Sequence, residues 1–365
     1  MKIAQFAPIW IPVPPHTYGG IEFMVSELTE GLIARGHEVT LFATGDSVTK
    51  GRLVSPWPAS LWRAKLGSPH AVWSLHYSNL LDLHKEFDII HDHTPFYTAP
   101  FTRFLEPPVV STLHRPLSPE THKVFDRYPD TYYVPISKDQ KSSAAFLKNV
   151  DYIYNGVPVE RFPFNANPKD YLLWLSKITP QKGVLEAIQA AKLAGMKLVI
   201  AGNIVGDENE RFFKYEVQPL IDGEQITYVG QADFDAKVKL FKNARALLCP
   251  FKRREPFGLV MTEAMACGTP VIGFRDGAIP EVVEHRVTGY VVDDVEQMAD
   301  ATKMIDAIDR KKCRERVETK FSIARMIDEY EALYERILKK RPSFMKNAAK
   351  NIDSAAKNIR KFIHL

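Results

Sequence analysis

The stretch from Arg245 to Phe274 limits the possible folds of this chain more than any other. Ala246-Leu-Leu-Cys249 is an apolar run bounded by Pro250, which can neither donate to a ladder nor sit inside a central strand. The run therefore reads as a short buried strand. The loop Phe251-Lys-Arg-Arg-Glu-Pro256 follows. From about Gly258 the residues Val260, Met261, Ala264, Met265 and Ala266 favour helix, Gly268 closes it as a left-handed cap, and a second strand begins at Pro270. A strand-loop-helix-strand unit projects its helix N-terminus over the carboxyl ends of a parallel sheet, where unpaired N–H groups and the positive dipole end make a phosphate site. Here that site centres on Phe257, Gly258 and Leu259. Glu255 stands before the helix start and Glu263 more than a turn inside it, about 9 Å apart along the axis at ~1.5 Å per residue. That gap is too wide for one metal ion. It suits two carboxylates bracketing a diphosphate and accepting hydroxyl hydrogen bonds.

The same alternation runs through the rest of the chain. A strand Lys2 to Phe6 leads through a proline-rich loop (Pro8, Pro12, Pro14, Pro15) to Gly19-Gly20 and a helix with Ile21, Met24, Val25, Leu28 and Leu32 on one face. The two glycines let backbone N–H groups approach an anion at a helix start. No G-x-G-x-x-G occurs, which counts against a dinucleotide cofactor. Further strands are expected at Glu38 to Ala43, Phe87 to His91 and Val109 to His114. His91, His93, His114 and His122 gather near strand ends, where ligands of such sheets collect. His91 and His93 are expected to face opposite ways, and with no third partner fixed nearby they are not read as a metal site. In the second half, strand Tyr171 to Leu175 opens into Ser176-Lys177-Ile-Thr-Pro-Gln-Lys182-Gly183, whose two lysines suit phosphate oxygens. Strands follow at Leu198 to Gly202 and Ile226 to Gly230. Asp233-Phe-Asp235 has the D-x-D form of metal-dependent transferases, but at a helix start an Asp is a cap.

Strands and helices taking turns argue for an α/β chain with a doubly wound parallel sheet in each half. A length of 365 residues exceeds one ordinary core. We expect a first domain over 1–164, a second over 165–322, a helix 323–340 returning to the first, and a tail over 341–365. Pro158, Pro163 and Pro168, with Asn165 and Asn167, mark the linker. Three cysteines (Cys249, Cys267, Cys313) without metal spacing suit a reducing cytoplasm. There is no apolar run of about 18 residues to span a membrane, and Met1 to Ala7 reads at once as strand rather than as an export signal. A net charge of +4 gives no ground for a nucleic-acid partner. Trp57, Trp62 and Trp73, among Arg52, Arg63 and Lys65, fit sugar stacking, a membrane surface or ordinary packing. In the tail, Met345, Ala348, Ile352, Ala355, Ile359 and Phe362 oppose Lys346, Lys350, Lys357, Arg360 and Lys361. This is a basic amphipathic helix that either docks on the protein or makes peripheral contact with the inner membrane face.

Glu255-Pro-Phe-Gly-Leu-x-x-x-Glu263-Ala-Met-Ala-Cys-Gly-Thr-Pro-Val resembles the signature of retaining glycosyltransferase family 4. The resemblance implies the GT-B fold, two Rossmann-like doubly wound domains facing a central cleft. It implies that Glu255 lies beside the donor sugar and Glu263 holds the nucleotide ribose. Gly19-Gly20 would face the donor diphosphate, and His114, ending Val-Val-Ser-Thr-Leu-His, would contact the sugar. The family usually has Gly-Arg where this chain has Ser176-Lys177, which keeps the charge and loses the bidentate fork. Lys182 matches. The implied reaction is retaining, metal-independent transfer from a UDP- or GDP-sugar to a hydroxyl of a saccharide, glycolipid or other small acceptor, with no cofactor. A GT-B phosphorylase and a catalytically silent sugar-nucleotide-binding subunit are the alternatives.

Overall fold

The computed structural model describes residues 1–17, 19–147 and 151–340. The first sheet contains β1 (Lys2–Phe6), β2 (Glu38–Phe42), β3 (Arg52–Val54), β4 (Ile89–Asp92), β5 (Val109–Leu113) and β6 (Tyr132–Pro135), all parallel, in the order 3-2-1-4-5-6. The second contains β7 (Leu172–Leu175), β8 (Leu198–Ala201), β9 (Ile226–Tyr228), β10 (Ala246–Cys249), β11 (Val271–Phe274) and β12 (Gly289–Val292), in the order 12-11-10-7-8-9. The two windings are the same. In each, the strand order reverses between two central neighbours, β1 and β4 or β7 and β10. Loops leaving those strands part there, and the crevice between them is where such sheets bind ligands.

The central strands are apolar because helices cover both faces. Every residue of β10 is at most 1% exposed, and the strand stops at Pro250. Edge strand β3, three residues long and only half-buried, offers little backbone for unwanted pairing. The segment between β3 and β4, hardest to read from sequence, forms helices Leu61–Ala64 and Pro69–Leu83. It divides the tryptophans. Trp73 is buried, its ring 5.1 Å from Tyr97 and 6.2 Å from Trp10, whereas Trp57 and Trp62 stay exposed.

The helix over 323–340 returns to the first sheet. Met326, Ile327, Tyr330, Leu333, Tyr334 and Ile337 pack with Ile3, Met24, Val39, Ile89 and Val110. The two passages of chain between the sheets lie side by side: Val157 N–H donates to Phe321 O at 2.8 Å and Ile323 N–H to Val157 O at 3.0 Å. Among the described residues no helix is long and apolar enough to cross a membrane. The basic tail over 343–365 lies outside the described residues.

Candidate active site

Helix Leu259–Ala266 follows β10 at the second sheet's reversal point. Gly258 starts it at φ +81°, a left-handed conformation that costs other residues about 1–2 kcal/mol. Met261 N–H closes on Gly258 O at 2.9 Å, and no side chain caps the terminus. The N–H groups of Leu259 and Val260 are thus free of intrahelical partners. The other end is closed. Arg314 donates to Ala266 O at 2.7 Å, where a cation complements the helix dipole. Phe257 is an anchor whose buried ring packs 5.8 Å from Phe321 and 6.0 Å from Tyr154, so only its backbone is left to line the helix start.

A second helix start meets the first. Gly20 opens helix Gly20–Ala34 after β1, and a methyl group placed on it would lie 3.4 Å from Leu259 Cδ1. Two positive helix ends, one from each sheet, therefore lie next to each other. Glu22, in the first turn, is buried, and that burial pushes its carboxyl up to about 7 against the lowering pull of its own N–H and of Arg115.

The loop after β7 brings the lysines. Lys182 Nζ lies 2.5 Å from Glu255 Oε2 and 4.7 Å from the Phe251 ring centroid. Ala278 N–H fixes the Glu255 backbone by donating to its carbonyl at 2.9 Å. Lys177 is half-buried and has no acidic partner among the described residues. Glu263, only 5% exposed, has a lysine of its own: Lys237 Nζ lies 2.6 Å from Oε1. Sequence reading missed Lys237. It sits one turn past Asp233, which caps helix Phe234–Asn243 by accepting from Ala236 N–H at 2.8 Å, so the D-x-D is a cap. Among the described residues no three His, Cys, Asp or Glu gather at metal-binding spacing. A cavity of about 490 Å³ lined by Arg161, Asp235, Lys239 and Lys242, among others, includes none of Lys177, Lys182, Lys237, Glu255 or Glu263.

The histidines form a buried chain, and one expectation about them is corrected. His91 and His93 do not face apart. Their ring centroids are 4.2 Å from each other, because residues two apart on a strand share a face. His93 Nδ1 lies 2.9 Å from His114 Nε2, and His93 Nε2 lies 2.8 Å from Gln5 Oε1. Burial holds all three imidazoles well below their usual range, His114 at about 3, so they are neutral. With the Gln5 amide oxygen on His93, Nε2 of His93 carries the proton and Nδ1 accepts. His114 then donates from Nε2, and its Nδ1, without a partner among the described residues, is an acceptor suited to a hydroxyl. His91 ties the chain to the returning helix, 2.6 Å from Tyr334 OH and 2.7 Å from Thr112 Oγ1, which is 2.8 Å from Tyr330 OH. His122 instead packs at a tilt against Phe146, the ring centroids 4.3 Å apart.

Contacts across the crevice hold the halves together. Glu281 accepts from Lys138 N–H and Asp139 N–H, both at 3.0 Å, and from Tyr154 OH at 2.7 Å. Arg254 donates to Asp139 Oδ2 at 2.8 Å, and Gln231 reaches Thr17 Oγ1 at 2.8 Å.

Twin doubly wound sheets whose helix starts meet at their reversal points, with two lysines on the loop after β7, have the architecture of a GT-B glycosyltransferase. The comparisons agree. The model of the family described as Glycosyltransferase Family 4 matches residues 18–161, and that of Glycosyl transferases group 1 matches residues 158–320. The chain belongs to these family 4, group 1 glycosyltransferases. It is 26% identical over 343 residues to an uncharacterised glycosyltransferase of Methanocaldococcus jannaschii, covering 80% of this chain and 85% of that one. It is 27% identical over 354 residues to the phosphatidyl-myo-inositol mannosyltransferase of Mycobacterium leprae, covering 87% and 90%. The Anabaena protein HepE, solved in complex with UDP-glucose, shares the fold with a TM-score of 0.72 at 18% identity, over 92% of this chain and all of that one.

Proposed function

We propose that the chain transfers a hexose from a UDP- or GDP-sugar to a hydroxyl of a saccharide or lipid-linked acceptor, with retention at the anomeric carbon and without a metal ion. The observation that carries this reading is the meeting of the Gly20 and Leu259 helix starts beside the Lys182–Glu255 pair. A departing nucleoside diphosphate develops negative charge, and fixed N–H dipoles and ammonium groups aimed at that charge stabilise the transition state. Lys177, which has no acidic partner among the described residues, and Lys182, which exchanges one oxyanion for another, supply the positive charge in this scheme. Glu255 and His114 Nδ1 accept hydrogen bonds from the sugar, and Glu263 accepts from the ribose. The UDP-glucose held by the Anabaena relative favours a uridine donor, and the mycobacterial mannosyltransferase a lipid-linked acceptor.

Purified protein incubated with UDP- and GDP-hexoses, with and without EDTA, tests the proposal through nucleotide release and the anomeric NMR signal of the product. An inverted product or activity abolished by EDTA overturns the mechanism. Turnover that requires inorganic phosphate and a disaccharide instead of a nucleotide sugar identifies a phosphorylase.

A further inference from the structure

We infer that Lys237 is a positioning residue for the nucleotide half of the donor, holding the Glu263 carboxylate in the orientation that meets a ribose hydroxyl. This rests on the reading of Glu263 as the ribose carboxylate. Glu263 lies in the second turn of helix Leu259–Ala266, with a side chain only 6% exposed. Burying a carboxylate in such a place is costly unless a partner meets it. Lys237 supplies one at 2.6 Å and engages Oε1, which leaves Oε2 to take a hydroxyl. A long acidic side chain left free would lose its rotamer freedom when the nucleotide arrived, and a side chain already fixed does not.

Lys237 is itself held in place. Its ammonium lies 5.4 Å from the Phe234 ring centroid, 5.8 Å from Phe23 and 5.9 Å from Phe162, all within cation–π range. Phe234 belongs to the second domain's helix, Phe162 to the linker, and Phe23 to the helix that begins at Gly20. The seat of the lysine is complete only when the two halves are together, so ribose recognition at Glu263 is linked to the position of the opposing helix start.

The test uses full-length protein and isothermal titration with UDP, GDP and ADP, each against its 2′-deoxy and 3′-deoxy form. Wild type is expected to bind one ribonucleotide at least tenfold tighter than one of its deoxy forms. Lys237→Met is expected to lose that preference and to weaken the ribonucleotide at least tenfold, while kcat at saturating donor stays within about threefold. Lys237→Arg, which keeps the charge and the ring contacts, should restore most of both. Should Lys237→Met fold poorly by thermal denaturation, Lys237→Gln, an amide too short to reproduce the ion pair, serves in its place. A mutant that keeps the wild-type preference overturns the role of Lys237 and leaves that of Glu263 standing. Absence of any preference or binding in wild type overturns the ribose reading and the inference with it.

Discussion

Replacing Glu281 by alanine should uncouple the two halves of the enzyme without unfolding either. The carboxylate leaves the second domain and accepts three hydrogen bonds at 2.7–3.0 Å from the first, two of them from the opening N–H groups of helix Lys138–Ser143. Hydrogen bonds to a charged acceptor contribute about 1.5–3 kcal/mol each, but Glu281 is half-buried and water would replace part of each. At roughly 1 kcal/mol apiece the loss is about 3 kcal/mol, or on the order of a hundredfold in the joined population at ~1.4 kcal/mol per tenfold. The Arg254–Asp139 pair remains and reduces the effect. We expect kcat/KM for transfer to fall ten- to a hundredfold and the radius of gyration from X-ray scattering to rise, with little change in far-UV circular dichroism. Glu281→Gln, which keeps one oxygen acceptor, should fall between. If Glu281→Ala retains kcat/KM within twofold and scatters like wild type, these contacts do not hold the crevice together and the reasoning is wrong.

Other perturbations address other parts of the site. Glu255→Ala should cost at least tenfold in transfer, while Glu263→Ala should mainly weaken nucleotide binding in titrations; identical defects in the two would contradict the division of roles. Burial raises the Glu22 carboxyl from 4.5 to about 7, so the folded state binds the extra proton between those values and loses stability as pH rises through them. Denaturant titrations should show wild type losing roughly 3 kcal/mol relative to Glu22→Gln between pH 4.5 and 7.5, and parallel profiles would refute the assignment. Gly183→Ala should destabilise by about 2–4 kcal/mol, because φ is +73° and the added methyl would sit 1.9 Å from Pro250 O. An unchanged melting temperature would show that the two loops can separate there.

What sequence could reveal was local. Pro250 ending a strand, Gly258 before a helix and Gly268 after it fix β10 and its helix whatever surrounds them, and the alternation of strands and helices fixes two wound sheets. The Glu-x7-Glu pattern named both carboxylates for the same reason, since spacing along one loop and helix does not depend on the fold. The lysine belonging to Glu263 was not legible, because Lys237 is 26 residues away on another helix and nothing local distinguishes it from its neighbours Lys239 and Lys242. The histidine chain was hidden likewise. His114, His93 and Gln5 stand on or just beyond three different strands, and their contacts depend on strand order, which alternation alone does not dictate. Trp73 looked like Trp57 and Trp62 until helix Pro69–Leu83 turned it inward.

The return of 323–340 to the first sheet has a consequence for biosynthesis. The sixth strand of that sheet ends at Pro135, yet the apolar side chains that cover its helical face, Met326 through Ile337, emerge from the ribosome only after the entire second sheet has been made. Translation at about 5–20 residues per second leaves that surface bare for roughly ten to forty seconds. During that interval the apolar flank of the nascent first half is open to wrong partners, and a premature stop shortly before residue 323 would release a chain with that flank uncovered and aggregation-prone.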